Sequence, residues 1–252
     1  MIVFWKSTLL SISDLKDIHS GKLCFIYGAG PSLRYVDENL LKDYINIAVN
    51  SGIDKNARFD YFVSDDSAIS GWSYYKKVAR YDSGMKKLLY RDRFEPICKT
   101  MKNVEFFSHT WWFSPSDRKY NLDGLRLTRD EPIVGARTSI GSATHLAYLM
   151  GCDPIVLLGN DCKLDKNGKR YFWQYNKKSF QPFRISGPAF NDRNQNNGFD
   201  RNSFVEYWNK FAEVNKEIIG KDVDIIDCSD SNLSCFRTMH LQEILDRYGE
   251  RK

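Results

Sequence analysis

Short apolar runs recur along the chain at residues 23–27, 45–49, 61–63, 87–90, 104–107, 155–158 and 223–226. Several are continuously apolar rather than alternating. That is the pattern of strands covered on both faces. Between them lie segments of helical period. Residues 33–44 place apolar side chains at 33, 36, 40, 41 and 44, which predicts one amphipathic helix. Residues 139–150 are apolar nearly all round, as in a helix buried against a sheet. Residues 202–219 carry Phe204, Tyr207, Trp208, Phe211, Val214 and Ile218 on one stripe, and residues 241–248 close the chain. Strands alternating with helices predict an α/β fold, a Rossmann-like open and mostly parallel sheet with helices on both faces. The 252 residues fit one nucleotide-binding domain spanning 1–252. Two stretches interrupt the alternation, 108–131 and 160–201. The second is too long for a plain connection, and the seven aromatics from Tyr171 to Phe190 give it something to pack with. It is read as an insertion that serves as a lid or an acceptor-binding segment.

Composition narrows the function. With 42% hydrophobic and 27% charged residues the chain can bury a full core. A net charge of +5 is mild; it suits anionic ligands and does not announce a nucleic-acid binder. The cysteines at 24, 98, 152, 162, 228 and 235 form no C-x-x-C pair, which argues against a zinc knuckle or disulfide scaffold and for a reducing, cytoplasmic setting. No apolar run approaches the roughly 18 residues of a membrane span, and residues 1–6 do not read as a signal peptide.

The candidate chemistry sits at the ends of the predicted strands. Gly28-Ala29-Gly30-Pro31-Ser32 follows a strand and precedes a helix. Such a turn lets backbone N–H groups meet a phosphate, or serves only as a tight strand-to-helix connection. It is not a dinucleotide fingerprint, because position 33 is Leu and the next strand ends in Asn50-Ser51-Gly52 rather than in an acid. No Walker A loop, H-E-x-x-H or G-x-S-x-G is present. The third strand ends in Asp65-Asp66, either a divalent-metal (Mg or Mn) site beside a diphosphate or a helix cap. Arg137-Thr138-Ser139 opens the apolar helix, as an anion site, a cap, or both. Leu158 is followed by Gly159, Asn160 and Asp161. Open α/β sheets bind ligands at the edge where these ends gather. Of the four histidines, His145 reads as a core residue and His109 as the best placed for ligand contact. The Lys and Arg residues of 76–93 read as a solvated face.

Several motifs together resemble a group of bacterial and archaeal α/β proteins. The matching residues are Gly28-Ala29-Gly30-Pro31-Ser32-Leu33, Ala48-Val49-Asn50-Ser51-Gly52, the run 60–65, the run 138–161, and Ile225-Ile226-Asp227-Cys228-Ser229 with Ser231 and Leu233. The group comprises the motility accessory factors, the archaeal hydroxymethylpterin diphosphokinase-like proteins and the bacterial lipooligosaccharide sialyltransferases. The resemblance covers most of 22–161 and the last strand and helix; residues 162–200 match nothing in it.

In the sialyltransferases the donor is a CMP-sugar. The resemblance therefore implies donor contacts at Gly28, Gly30, Ser32, Asn50, Thr138 and Ser139, with Tyr171 matching a tyrosine at the donor phosphate. Two departures stand out: their Asn between the first glycines is Ala29 here, and no His lies between 146 and 239, where their base falls. The expectation is thus a glycosyltransferase that moves a sugar from a nucleotide-sugar donor, CMP-sugar favoured, to a hydroxyl acceptor. Asp66 or Asp161 would be the base, and Gly28, Ala29, Gly30, Ser32, Asn50, Ser51, Arg137, Thr138, Ser139, Gly159, Asn160 and Tyr171 would hold the donor. A diphosphokinase using ATP and magnesium, or a non-catalytic nucleotide-sugar-binding protein, are the alternatives. The acceptor is a glycan, lipid or other hydroxyl compound, and the mild charge leaves nucleic acid open.

Overall fold

The computed structural model describes residues 12–66, 73–80, 84–95, 98, 101–111, 113–114, 119–120, 122–130, 132–135, 138–175 and 199–252. Every predicted strand forms. In chain order they are β1 (Cys24–Tyr27), β2 (Ile45–Val49), β3 (Tyr61–Ser64), β4 (Lys86–Tyr90) and β5 (Val104–Phe107). Then come the short β6 (His109–Trp111), β7 (Phe113–Ser114), β8 (Lys119–Tyr120) and β9 (Ile133–Gly135), followed by β10 (Ile155–Leu158), β11 (Ile225–Asp227) and β12 (Arg237–Thr238). Eight of them make one sheet in the order β12-β11-β10-β1-β2-β3-β4-β5, and each neighbouring pair is parallel. The 108–131 stretch contributes to two small pairs, β6 with β9 and β7 with β8.

The helices are α1 (Ser73–Arg80), α2 (Arg91–Phe94), α3 (Ser139–Leu149), α4 (Phe199–Val214) and α5 (Leu241–Tyr248). They cover both faces because strand side chains alternate. Cys24 and Ile26 of β1 join one core with α3 and α4, through Leu146, Trp208 and Phe211. Phe25 and Tyr27 join the other, with Leu33, Val78 of α1, Phe94 of α2 and Ile244 of α5. All eleven residues of α3 are buried, which accounts for its lack of a polar face.

Three expectations are corrected. The pattern over 33–44 predicts one helix, but the chain forms two 3-10 turns, Pro31–Tyr35 and Glu38–Leu41. Val36 and Asp37 are extended between them, and the Asp37 carboxylate accepts the Asn39 N–H at 3.0 Å, starting the second turn afresh. The helix expected to reach 219 ends at Val214. The next residue, Asn215, is buried and spends its amide on the 125–127 backbone: Nδ2 donates to Leu125 O (2.8 Å) and Oδ1 accepts from Leu127 N (2.7 Å). Finally, the cations of 76–93 are not all a solvated face. Lys87 sits on an inner strand, fully buried, and its Nζ donates to Lys102 O at 2.8 Å. Lys77 Nζ donates to Ile53 O (2.6 Å) and Arg93 to Asp65 O (3.0 Å), so these cations cap carbonyls of neighbouring loops.

Among the described residues no helix is long and apolar enough to cross a membrane.

Candidate functional site

The chain runs outward from β1 through β2 to β5 on one side, while β10, β11 and β12 extend the sheet on the other. The order therefore reverses between β1 and β10. In open α/β sheets the crevice at such a reversal, outside the carboxyl ends of the strands, is where ligands bind. The loops after β1, β2, β3 and β10 all reach this edge.

The glycine turn after β1 is closed on itself and on β10. Gly28 N donates to Leu158 O and Gly30 N to Gly159 O, both at 2.8 Å. Ser32 donates its N–H to both carboxylate oxygens of Asp161 (3.2 and 3.3 Å) and its hydroxyl to Oδ2 (3.0 Å). Close approach explains the glycines: a Cβ on Gly30 would fall 1.8 Å from Asp161 Oδ2, and one on Gly52 would fall 2.2 Å from Tyr27 O. Gly159 has a φ of +63°, in the left-handed region that glycine adopts freely. Asp161 is only 4% exposed. Burial lifts its carboxyl to about 6, against the Ser32 hydrogen bonds and helped by the nearby Asp230 carboxylate.

A second polar group gathers at the start of α3. Asp65, after β3, accepts hydrogen bonds from the hydroxyls of Ser139 and Ser142 (the latter at 3.1 Å). Asn50, after β2, donates through Nδ2 to Ser139 Oγ at 3.3 Å. Asn50 has a φ of 48°, a conformation Asn tolerates better than most residues, and this turns its side chain across the strand ends. Ser51 is buried behind it in the 3-10 turn Asn50–Asp54. Thr138 caps α3 without a side-chain hydrogen bond and is partly exposed. Burial pushes the Asp65 carboxyl above its usual range, opposed by the two serine hydroxyls.

The adjacent carboxylates thus part company: Asp65 is buried at 6% exposure and engaged, and Asp66 is exposed. An ion shared by the two would have to draw the Asp65 carboxylate away from Ser139 and Ser142. Among the described residues no three His, Cys, Asp or Glu side chains gather where they could hold an ion.

Two amide atoms at this edge are buried without a hydrogen-bond partner, Asn50 Oδ1 and Asn160 Nδ2. The rest of Asn160 is fixed. Its N–H donates to Ser229 Oγ (2.8 Å) and its Oδ1 accepts from Trp208 Nε1 (3.3 Å). An unmet buried donor or acceptor costs about 1–3 kcal/mol, and each of these two atoms has room in its chemistry for one more partner.

The start of the insertion is pinned to the glycine turn. Phe172 N donates to Ala29 O at 3.1 Å. Arg34 pairs with Asp165 (3.0 Å) and stacks on Tyr175 at 3.8 Å, and the Tyr175 hydroxyl donates to Asp165. Tyr171 stacks on Trp173, with ring centres 5.1 Å apart. Replacing Arg34 by Ala removes the shared partner of this cluster. Amide exchange at Phe172 is expected to quicken roughly tenfold, equivalent to ~1.4 kcal/mol of local opening. Unchanged exchange in a hydrogen–deuterium experiment would show that the cluster does not hold the segment.

The structure brings Gly28, Ala29, Gly30, Ser32, Asn50, Ser51, Asp65, Asp66, Thr138, Ser139, Gly159, Asn160 and Asp161 to one sheet edge. Arg137, the side chain of His109 and residues 176–198 of the insertion lie outside the described residues. His145 is a core residue, as read. Its Nδ1 accepts from Val134 N (2.6 Å), which leaves Nε2 to donate to Thr128 O (2.7 Å), and burial lowers its pKa to about 4. Sequence reasoning gave no site role to Arg34 or Arg93, and it carried Ser142 and Ser229 only within longer motifs. Ser142 lies one turn beyond Ser139 on the same helix, which is the signal that places it with Asp65.

No protein-family model matches the sequence, and neither does any curated protein. In three dimensions the chain is similar to the MAf glycosyltransferase from Magnetospirillum magneticum AMB-1, with a TM-score of 0.51 and 12% sequence identity. The match covers 92% of this chain and 38% of that one, so this chain spans about two fifths of that protein's length. At this identity the likeness is one of fold. It meets the motility-accessory-factor part of the sequence resemblance; the diphosphokinase part finds no counterpart in it.

Proposed function

We propose that the chain is a glycosyltransferase that takes a sugar from a nucleotide-activated donor, of the CMP-sugar type, to a hydroxyl acceptor. The observation that carries this reading is the pair of unpartnered amide atoms, Asn50 Oδ1 and Asn160 Nδ2, at the strand ends on either side of β1. Two strand spacings separate those strands, about 10 Å, the scale of a nucleoside. One atom accepts a hydrogen bond and the other donates one, as recognition of a base or ribose requires. The fold shared with a glycosyltransferase supports the same reading.

In this reading the departing phosphate lies at the start of α3, where Thr138 leaves the helix end uncapped by a side chain, and Arg137 supplies charge. Tyr171 closes the donor side. Asp161, with its carboxyl lifted to about 6, is matched to receive a proton from an acceptor hydroxyl near neutral pH. Asp66, the exposed acid, is the second candidate base. Asp65 positions Ser139 and is not a base.

Calorimetry with cytidine, uridine and guanosine nucleotides tests this. Cytidine monophosphate is expected to bind, and Asn50→Ala and Asn160→Ala are each expected to weaken it by roughly 10- to 100-fold, the effect of one lost buried hydrogen bond. If no nucleotide binds, the reading is wrong. If binding persists and no sugar is transferred even with Asp66 and Asp161 intact, the chain is a binding protein rather than an enzyme.

A further inference from the structure

The glycine turn has the sequence of a phosphate cradle, but the N–H groups of Gly28, Gly30 and Ser32 are already used. Gly28 and Gly30 give their N–H groups to β10 and its following loop, Pro31 has none, and Leu33 N donates back to Gly30 O at 3.1 Å. Ser32 gives both its N–H and its hydroxyl to Asp161. These are the two groups that an incoming anion would meet at the entry to the 3-10 turn. Gly30 has no side chain because the carboxylate fills that space.

Above the turn lies a cleft of about 210 Å³. Asp161 and Ser32 line it, and so do Asp165 and Asp230, which add negative charge. Its cations are Arg34 and Lys166, and Arg34 is already paired with Asp165. Lys163, nearby, is paired with Asp230 at 2.8 Å. Tyr35, 73% exposed, stands at the edge and offers a ring against which a sugar can lie.

We propose that Asp161 sets the charge selectivity of this cleft: it admits an uncharged, hydroxyl-bearing group and turns away an anionic one. The assignment rests on the transferase reading and refines it. The turn serves the acceptor sugar, and the donor phosphate belongs at α3, one strand end away. A sugar hydroxyl can donate to the free lone pairs of the Asp161 carboxylate, which a phosphate oxygen cannot do. A phosphate brought there would meet the Asp161 carboxylate, with the N–H groups of Gly28, Gly30 and Ser32 already engaged and Arg34 and Lys163 already paired with Asp165 and Asp230.

The probes are methyl α-glucoside, galactose and N-acetylglucosamine, set against glucose 6-phosphate. The readout is the amide resonances of Gly30, Ser32 and Leu33 in the full chain. In the wild type at neutral pH a neutral sugar is expected to move these resonances, and the sugar phosphate to leave them in place. Asp161→Asn keeps an acceptor for Ser32 and removes the charge; its preference for neutral over phosphorylated sugar is expected to fall at least tenfold. Equal response of the wild type to sugar and sugar phosphate overturns the proposal. So does the absence of any response to the neutral sugars, or an unchanged preference in Asp161→Asn. Should that variant fail to fold, the wild-type comparison decides alone. Nucleotide binding is scored separately by calorimetry. Failure of the transferase reading thus shows as lost nucleotide binding, and failure of this proposal as the wrong response at the turn.

Discussion

Gly52→Ala is expected to destabilise the protein by about 3 kcal/mol or more and to abolish nucleotide binding with it. The added Cβ would lie 2.2 Å from Tyr27 O and 2.7 Å from Gly28 O, and both atoms are backbone. A side-chain collision can be relieved by a rotamer change; this one cannot. Relief requires the loop after β2 to move off the end of β1, which carries Asn50 away from Ser139. Denaturant unfolding of the variant, with calorimetry alongside, reads both effects. The glycines of the 28–32 turn divide differently. Gly30→Ala meets a carboxylate first, so pairing it with Asp161→Ala should recover part of the loss, whereas no side-chain change rescues Gly52→Ala. A Gly52→Ala protein of wild-type stability would mean that the loop after β2 does not rest on β1 as described.

The second large effect is in the pH dependence of stability, where two buried groups act in opposition. His145 is held near 4 in the folded protein against 6.5 in the unfolded chain. As pH falls below 6.5 the unfolded chain takes up a proton that the native state refuses, so stability is lost down to about pH 4, by about 3 kcal/mol in all. Asp161 runs the other way. Its folded pKa of about 6 lies above the unfolded 3.8, so the native state takes up the proton first. That stability is fully present below 3.8 and is lost as pH rises through 6, again by about 3 kcal/mol. Over the shared window the two contributions nearly cancel. Asp161→Asn removes one of them. Relative to wild type, the variant is expected to gain stability at neutral pH and to lose it steeply between pH 6.5 and 4. The raised carboxyls of Asp65 and Asp227 are common to both proteins and drop out of the comparison. Urea denaturation across that range measures the difference directly. Parallel profiles for the two proteins would show that Asp161 titrates as an ordinary carboxylate.

The strands were legible because their signal is local. Three to five mostly apolar residues suffice to mark a strand, and all seven predicted runs form strands. The 33–44 segment misled because its period was helical while Asp37 carried a competing local hydrogen bond. Lys87 misled because a charge run is usually solvated, and only the sheet order reveals that β4 is an inner strand. Within the site, sequence placed the right residues at the right edge but could not say what each one touches. Asp161 and Ser32 are 129 residues apart, and Asp65 and Ser139 are 74 apart. Neither pairing has a local pattern. The sequence therefore marks a polar edge without showing that Ser32 and Ser139 each bond a carboxylate of the chain itself.

The pairing of β1 with β10 has a bearing on how the chain is made. β1 is complete at Tyr27, and its partner on one side begins only at Ile155. A ribosome releases the strands from β1 to β5 well before that partner exists. Until then the growing chain presents a central strand unpaired on one edge, Cys24-Phe25-Ile26-Tyr27, with no charge along it. Any shortened chain that stops before β10 keeps that edge open and should self-associate, while one that extends past Leu158 can close it.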